Sequence, residues 1–298
     1  MPEKAPVLPR EKFQDFSDYL KRVGFKFEER PHQVFLARAE GLTVSLYESG
    51  KVVIGGKDAK LEREVRWYLS KLGAAGEELS ECLRAVKGTV RIGTDEVGKG
   101  DFFGPLVVAG ALVGPGIEEK LEALGIRDSK RLSGKRVGEL APMTVKALGR
   151  DGFEVLRIDP PRYNGMYDEM GNLNKILAWA HSRIIENLLG RNPDCGLAVV
   201  DEFSAPALRA SLMEKGRAIE VVQSPRAERD IAVAAASVLA RDVFLRKMDD
   251  MGKEFGTEFP KGASAVEEFA RGFVKEHGSA ALGKVAKMHF KTAQGVDE

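Results

Sequence analysis

From Gly88 onward the chain alternates short apolar strands with helices, and two of these strands end in carboxylic acids. Residues 91–96 read RIGTDE, and residues 198–202 read AVVDE. Strands that alternate with helices predict a mixed α/β layer fold. Because the carboxyl ends of neighbouring strands meet at one edge of such a sheet, we expect these acids to lie close together.

The hydrophobic pattern predicts the other elements of this region. Strands are predicted at 90–95, 106–113, 154–158, 197–200 and 218–222, each as a short apolar run. Helices are predicted at 173–189, from about residue 207, and over the Ala-rich stretch 230–248. The segment with Met166 and Met170 is interpreted as a polar loop.

The N-terminal part of the chain has a different pattern. Amphipathic helices are predicted at 12–23 and 58–72, on either side of strands at 34–39, 42–47 and 51–54. This pattern predicts a small α+β domain at 1–75, a linker at 76–88 and an α/β domain at 89–298. Lys51, Lys57 and Lys60 lie near the predicted hairpin, where they could grip a polyanion.

Composition and charge exclude several classes of protein. The 46 Lys and Arg residues nearly balance the 45 Asp and Glu residues, which excludes a broadly basic coat but allows a local basic groove. Cys82 and Cys195 form no CxxC pattern, which argues against a disulfide scaffold and suits a reducing cytoplasm. Since no apolar run approaches the roughly 20 residues of a membrane span, and the first residues lack a signal-peptide pattern, we expect a cytoplasmic protein without a membrane partner.

The strand-end acids Asp95, Glu96 and Asp201 favour metal chemistry. Carboxylates brought together repel one another, and a divalent cation removes that repulsion. Two such ions roughly 4 Å apart can bracket a phosphodiester. Acids also commonly end strands as solvated groups, so spacing alone leaves that alternative open. Because neighbours on a strand face opposite ways, Asp95 and Glu96 are expected to share a site only if the strand breaks at Glu96.

Residues 98–100, Gly98-Lys99-Gly100, form a candidate backbone cradle directly after the first acids. Two glycines let the main chain approach a ligand closely and present both N–H donors and C=O acceptors. A ribose 2′-hydroxyl needs one of each, and this hydroxyl distinguishes RNA from DNA. An ordinary hairpin turn is the alternative interpretation.

Four segments together resemble the type 2 ribonucleases H. Residues 92–109 read IGTDEVGKGDFFGPLVVA and are similar to the signature of that family. The segments 128–132 (DSKRL), 200–203 (VDEF) and 232–241 (AVAAASVLAR) resemble its second, third and fourth motifs, in the same order. The resemblance implies a ribonuclease H-like mixed sheet with flanking helices.

Within that group the chain looks like bacterial ribonuclease HIII. Lys99 stands where ribonuclease HII typically carries arginine. Residues 44–53 (VSLYESGKVV) resemble the N-terminal TATA-binding-protein-like domain of ribonuclease HIII, and residues 172–181 resemble one of its helices. The resemblance covers nearly the whole chain and is weaker before Gly88.

The resemblance implies an endonuclease that hydrolyses the RNA strand of RNA/DNA hybrids and leaves 5′-phosphate and 3′-hydroxyl ends. Family members use two Mg²⁺ or Mn²⁺ ions, held by four acids that are both catalytic and metal-binding. Asp95, Glu96 and Asp201 match the first three. The fourth is either Glu228, from its place in the segment RAE, or Asp230, which could instead cap the following helix. By the same analogy the protein is a monomer whose partner is the hybrid, and no motif indicates a protein partner.

The resemblance also suggests residues that contact the substrate. These are Gly98, Lys99, Gly100, Ser129, Lys130, Asn172, Asn174 and Lys175. For the three residues near 172–175, helix capping and a polar surface are the alternative. His181 could move protons or assist product release, but a lone histidine on an amphipathic helix is more commonly structural. Phe102 and Phe103 could stack on bases, but we expect them to anchor the turn in the core.

Other functions remain alternatives at this stage. A ribonuclease HII-like enzyme would cut at single embedded ribonucleotides. A binding module without activity would hold the hybrid uncleaved after magnesium is added. A phosphohydrolase for small phosphate esters would act on a chromogenic ester and would not need the N-terminal domain.

Overall fold

The computed structural model describes residues 6–30, 33–72, 88–126, 132–201, 203, 205–224, 227–264 and 266–296. The chain divides into two units, residues 1–87 and 88–298. The predicted linker at 76–88 lies outside the described residues apart from Gly88, and so do Ser129, Lys130 and Glu202.

The N-terminal unit is a four-stranded antiparallel sheet with two helices, of which the sequence predicts both helices and three strands but not the short first strand. Its strands are β1 (Lys26–Glu28), β2 (Gln33–Ala39), β3 (Leu42–Tyr47) and β4 (Val52–Gly56), hydrogen-bonded in that order. A 3-10 turn (Arg10–Lys12) leads into α1 (Phe13–Arg22), and α2 (Ala59–Lys71) follows the sheet. Phe16, Val44 and Leu46 are fully buried in the core of this unit.

The second unit is built on a mixed five-stranded sheet. Its strands are β5 (Arg91–Val97), β6 (Leu106–Val113), β7 (Phe153–Ile158), β8 (Leu197–Asp201) and β9 (Glu220–Ser224). Their order is β7-β6-β5-β8-β9, with β5 in the centre. Strand β5 runs antiparallel to β6 and parallel to β8, and β8 runs parallel to β9. The carboxyl ends of β5, β8 and β9 therefore share one edge of the sheet.

Helices cover both faces of this sheet. They are α3 (Pro115–Ala123), α4 (Gly134–Leu148), α5 (Pro160–Met170), α6 (Leu173–Arg191), α7 (Ala205–Ser211), α8 (Glu214–Arg217), α9 (Ile231–Phe255), α10 (Glu267–His277), α11 (Ser279–Val285) and α12 (Lys291–Gln294), with a 3-10 turn at Ala227–Arg229. None of the helices in the described parts of the chain has both the length and the apolar character needed to cross a membrane.

Two glycines let the main helices approach the central strands. A Cβ atom on Gly93 of β5 would lie 2.2 Å from the backbone of α9 at Val233. A Cβ atom on Gly110 of β6 would lie 2.3 Å from the side chain of Ile184 on α6. The small residues thus fix α9 against one face and α6 against the other, and both helices pass the edge where the acids lie.

The structure differs from the sequence predictions at several points. Strand β5, predicted to end at Asp95, continues through Glu96 to Val97, so the break at Glu96 that was the condition for a shared site does not occur. The segment predicted as a polar loop is helix α5, and Met166 is buried in it. Phe102 and Phe103 are fully buried, which confirms that they anchor the turn in the core.

Candidate active site

Asp95 and Asp201 lie side by side at the carboxyl ends of two parallel strands. The last pair between β5 and β8 joins Thr94 to Val200, and the two aspartates follow directly. Asp95 is only 3% exposed and accepts hydrogen bonds from the Glu96 backbone N–H (2.8 Å) and the Ser237 hydroxyl. Burial first, and then the charges of Glu96 and Asp201, raise the pKa of Asp95 to about 8.

Glu96 extends from the opposite face of the same strand. Its carboxylate contacts Lys99 Nζ at 2.5 Å and His181 Nε2 at 3.1 Å, and its side chain is 1% exposed. Burial opposes its ionisation, but the hydrogen bond and charge of His181 and the charge of Lys99 outweigh burial and lower the pKa of Glu96 to about 2. The pKa of Lys99 is raised, since Glu96, Asp201 and Asp95 outweigh its own desolvation.

His181 is hydrogen-bonded to two side chains of strand β5, Thr94 and Glu96. It is fully buried on α6, with Nδ1 at 2.8 Å from Thr94 Oγ1 and Nε2 at 3.1 Å from Glu96 Oε2. An ionised carboxylate only accepts hydrogen bonds, so Nε2 carries the proton that is donated to Glu96. The ring of Phe203 stacks on the imidazole at a centroid distance of 5.0 Å. His181 is therefore buried with both ring nitrogens in hydrogen bonds, and the acid it contacts is Glu96.

The two candidates for the fourth acid have different surroundings. Ala227 donates its backbone N–H to Asp201 Oδ1 at 3.1 Å, which places the neighbouring Glu228 beside the strand-end acids. Asp230 caps α9 by accepting from the backbone of Ala232 at 2.9 Å. The capping alternative for Asp230 is thus confirmed.

Asp230 also forms a buried ion pair with Arg91, at 2.7 Å from Nε to Oδ2. Arg91 in turn contacts Glu118 at 3.1 Å. Because Arg91 begins the strand on which Asp95 is the fifth residue, the backbone of Arg91 lies about 13 Å from that of Asp95 along the strand. Burial raises the pKa of Asp230 in spite of the opposing charge of Arg91.

The segment 98–104, which we call the glycine turn, follows Val97 at the end of β5 and so begins two residues after Glu96. Gly98 has a φ of +92°, and a Cβ atom there would lie 2.1 Å from the carbonyl oxygen of Pro105. Gly100 is exposed, and a Cβ atom there would meet nothing within 4 Å. The turn therefore needs glycine at position 98 for its own fold, while position 100 opens to the surface beside the acids.

Helix α6 begins beyond the same edge of the sheet. Its cap is Asn172, whose side chain accepts from the backbone N–H of Asn174 at 2.7 Å. The capping alternative is thus observed for Asn172, while the side chains of Asn174 and Lys175 are exposed. Since α6 places His181 against Glu96 two turns later, its N-terminal end projects past the site.

The sequence predicts that Asp95 and Asp201 lie close together at one edge of the sheet, with Glu96 and the glycine turn next to Asp95. The structure has Asp95 beside both Asp201 and Glu96 at this edge. Sequence reasoning did not assign Thr94 or Ser237, which hold His181 and Asp95 from opposite faces of the sheet. A detectable signal for Ser237 was its position as the one hydroxyl in the apolar run 231–240. Two predicted contact residues, Ser129 and Lys130, lie outside the described part of the chain.

Comparison with known proteins connects this geometry to one family. The family model described as Ribonuclease HII matches residues 92–293, and a domain of unknown function, DUF3378, matches residues 7–71. A ribonuclease HIII of Protochlamydia amoebophila is 36% identical over 279 residues, which cover 93% of this chain and 91% of that protein.

Solved structures agree with the sequence relatives. The crystal structure of Bst-RNase HIII in complex with Mn²⁺ has a TM-score of 0.67 and 28% identity, and the match covers 97% of this chain and 96% of that one. The ribonuclease HII in a PCNA complex from Archaeoglobus fulgidus has a TM-score of 0.57 and 28% identity. That match covers 97% of the HII chain but only 70% of this one. With its acid-bearing sheet and its full-length likeness to HIII proteins, the chain belongs to the ribonuclease HIII family.

Proposed function

We propose that this protein is a metal-dependent endonuclease that hydrolyses the RNA strand of RNA/DNA hybrids, leaving 5′-phosphate and 3′-hydroxyl ends. The observation that carries the proposal is the pairing of Asp95 with Asp201 at the carboxyl ends of β5 and β8, next to Glu96. Family membership supports the reaction, and the glycine turn beside the acids supports RNA as the strand that is cut.

The chemistry of this edge of the sheet suits divalent cations. Asp95, Glu96 and Asp201 offer only oxygen donors, which Mg²⁺ and Mn²⁺ prefer. Burial and the neighbouring charges of Glu96 and Asp201 raise the pKa of Asp95, and a bound cation would offset both effects. Among the described residues no three acidic, histidine or cysteine side chains are already gathered as ligands.

We propose Glu228 as the fourth acid and assign Asp230 to helix capping. Glu228 follows Ala227, whose backbone N–H reaches Asp201, whereas Asp230 is committed to Arg91 and the first turn of α9. Asp95, Glu96, Asp201 and Glu228 would then hold two metal ions. When bound, such ions lower the pKa of an attacking water and stabilise the leaving 3′-oxygen.

The remaining residues of the site have binding roles in this proposal. The backbone at Gly98, Lys99 and Gly100, of which the last two residues are exposed, would receive the ribose 2′-hydroxyl, which needs a donor and an acceptor. Lys99 holds Glu96 and adds positive charge beside the phosphate. Asn174 and Lys175 would contact the backbone of the hybrid at the projecting end of α6, with Asn172 keeping that end folded. Ser129 and Lys130 complete the predicted set.

The N-terminal unit would extend the binding surface. Lys51 and Lys57 are exposed at the two ends of β4, which is consistent with contact to a phosphate backbone. A monomeric state, a cytoplasmic location and a preference for Mg²⁺ or Mn²⁺ remain predictions from the sequence.

The test of the function labels one strand in each of three duplexes: the RNA strand of a full RNA/DNA hybrid, a DNA strand with one embedded ribonucleotide, and a strand of DNA alone. We expect internal cuts in the hybrid with Mg²⁺, poor cutting at the single ribonucleotide and none in DNA. The matched control is Asp201→Asn, which removes one charge and keeps the shape of the side chain. A stable but uncleaved complex with the hybrid in Mg²⁺ would establish a binding module instead, and preferred cutting at the single ribonucleotide would establish HII-like specificity.

A further inference from the structure

Lys287 is a fully buried lysine outside the acid cluster. Its Nζ donates to the carbonyl oxygens of Asp101 (2.8 Å) and Gly104 (2.7 Å), and its backbone N–H donates to the carbonyl oxygen of Phe102 (2.9 Å). One residue thus binds three carbonyls in the second half of the glycine turn. Buried carbonyls without donors are costly, so this part of the turn depends on Lys287 for its conformation.

The segment 283–288, which we call the C-terminal bracket, contains Lys287 and forms further backbone contacts with the glycine turn. Gly104 donates its backbone N–H to Val285 at 2.8 Å, and Phe103 forms a β-bridge with Ala286. The bracket therefore runs along residues 101–104 as a short antiparallel partner. Together with the contacts of Lys287, these bonds hold the backbone of the second half of the turn on one side.

Asn164 fixes the bracket to helix α5 on its other side. Its Nδ2 donates to the carbonyl oxygens of Gly283 (3.2 Å) and Ala286 (3.0 Å), and its Oδ1 accepts from the backbone N–H of Met288 (2.9 Å). The chain of contacts runs from α5 through Asn164 and the bracket to Lys287 and the glycine turn. Helix α5 is thus connected through the bracket to the second half of the turn, which the buried rings of Phe102 and Phe103 and hydrogen bonds to Gly262 also hold.

The first half of the turn is held much less. Asp101 donates its backbone N–H to Gly98 at a long 3.3 Å, and Lys99 and Gly100 are exposed. The orientation of the peptide groups at 98–100, where Gly98 is buried and the next two residues are exposed, is therefore set from their two ends. One end is β5 with Glu96, and the other is Asp101, whose carbonyl oxygen Lys287 holds and whose carboxylate accepts from the backbone N–H of Gly262.

We propose that Lys287 is a positioning residue for RNA recognition: by holding Asp101 and Gly104 it sets the peptide groups of Gly98–Gly100 at the geometry that receives the ribose 2′-hydroxyl. The proposal rests on the proposed function, since it assumes that these peptide groups bind ribose. Lys287 itself is buried and does not touch the substrate.

The test compares Lys287→Met, which keeps an unbranched side chain only one atom shorter and removes its donors, with Lys284→Met in the same bracket, where the lysine is exposed. The Michaelis constant (KM) is measured for the hybrid, and the inhibition constant (Ki) for an uncleaved DNA duplex of the same sequence. We expect Lys287→Met to raise the KM about tenfold, as for the loss of one or two hydrogen bonds, with an unchanged Ki. Lys284→Met should change neither constant. A general loosening of the fold would instead lower the active fraction or shift both constants together.

Asn164→Ala provides a second variant in case Lys287→Met does not fold, because Asn164 is only half-buried and its removal buries no charge. It should raise the KM in the same selective way by a smaller factor. If the folded variants keep the KM within twofold of the parent, or if KM and Ki rise by the same factor, Lys287 has no positioning role. Failure of the parent protein to cleave hybrid would instead contradict the proposed function itself.

Discussion

Asp95 and Glu96 are consecutive residues of one unbroken strand, and helices on opposite faces of the sheet hold their carboxylates. Ser237 of α9 binds Asp95, and His181 of α6 binds Glu96 at 3.1 Å. The pairing of Glu96 with Val108 and of Val97 with Val107 shows that the strand is regular here. The two acids can therefore meet a common ligand only at the open edge of the sheet, which is where Asp201 also lies.

The surroundings of His181 predict a supporting role in metal binding. Replacing His181 by Ala removes the donor to Glu96 and should raise the Mg²⁺ concentration for half-maximal activity, with a loss of about 10–100-fold in rate at low Mg²⁺. His181→Gln offers an amide donor in a similar position and should recover part of the affinity. Magnesium titrations of cleavage rate measure both effects. Equal half-saturation in all three proteins would show that His181 does not act through Glu96.

The fourth acid is tested by a pair of substitutions. Glu228→Gln should lower the cleavage rate by more than the ~10–100-fold typical of residues that only support a ligand, with little change in melting temperature. Asp230→Asn breaks the buried pair with Arg91 and should lower the free energy of unfolding by about 3 kcal/mol. Its folded fraction should still cleave at a rate near that of the parent. The reverse pattern of rates would make Asp230 the catalytic acid.

Much of this fold could be predicted because its elements have strong periodic patterns. Strands β3 and β6 and helix α6 were predicted to within about two residues, since each is a continuous apolar or amphipathic run. Helix α5 was missed because Pro160 and Pro161 open it and Gly165 lies inside it, a composition typical of loops. Its burial comes from tertiary contacts that include the stacking of Tyr167 on His289, which no local pattern reveals.

The site was predictable only in part for a related reason. The acids are marked by their positions at the ends of apolar strands, but the groups that hold them come from distant segments. His181 and Ser237 stand 85 and 141 positions beyond Glu96, and Lys287 follows 50 positions after Ser237. Local spacing carries no information on such pairs, and only the layered packing of α6 and α9 on β5 brings them to the acids.

Lys287 predicts a pH dependence of stability. Burial lowers its pKa to about 7, although the charge of Asp101 opposes this, and Tyr163 and His289 are its other titratable neighbours. The unfolded chain, with a lysine pKa of about 10.4, binds more protons than the folded chain between these two values, so this residue makes stability rise with pH across that window.

The unfolding free energy of the parent should therefore increase relative to that of Lys287→Met by a few kcal/mol from about pH 7 to about pH 10. Urea unfolding at several pH values measures it, and a difference that stays constant with pH would contradict the shifted pKa.

The N-terminal unit predicts a separable contribution to binding. Deleting residues 1–75 should weaken the binding of RNA/DNA hybrid much more than it lowers turnover at saturating substrate, because the acids all lie in residues 88–298. The loss of phosphate contacts should also reduce the dependence of affinity on salt concentration. Binding and turnover measured at two salt concentrations test this, and an unchanged affinity would remove the unit from substrate recognition. The double variant with Lys51→Gln and Lys57→Gln keeps the N-terminal unit and removes two of its charges. We expect it to lose affinity for the hybrid as well, by a smaller factor than the deletion.

Alanine substitutions at Gly98 and Gly100 should distinguish the role of the glycine turn in folding from its role in substrate recognition. Gly98→Ala forces a side chain into a positive φ and against the carbonyl oxygen of Pro105, so it should lower the melting temperature. Gly100→Ala meets open space and should leave the melting temperature within about 1–2 °C of the parent.

If the hybrid lies against this turn, the added methyl group at position 100 occupies the place of the ribose, and kcat/KM should fall about tenfold or more. Thermal melts and hybrid cleavage on the two variants measure both effects. Full activity in Gly100→Ala would mean that the RNA strand approaches the acids without touching the turn.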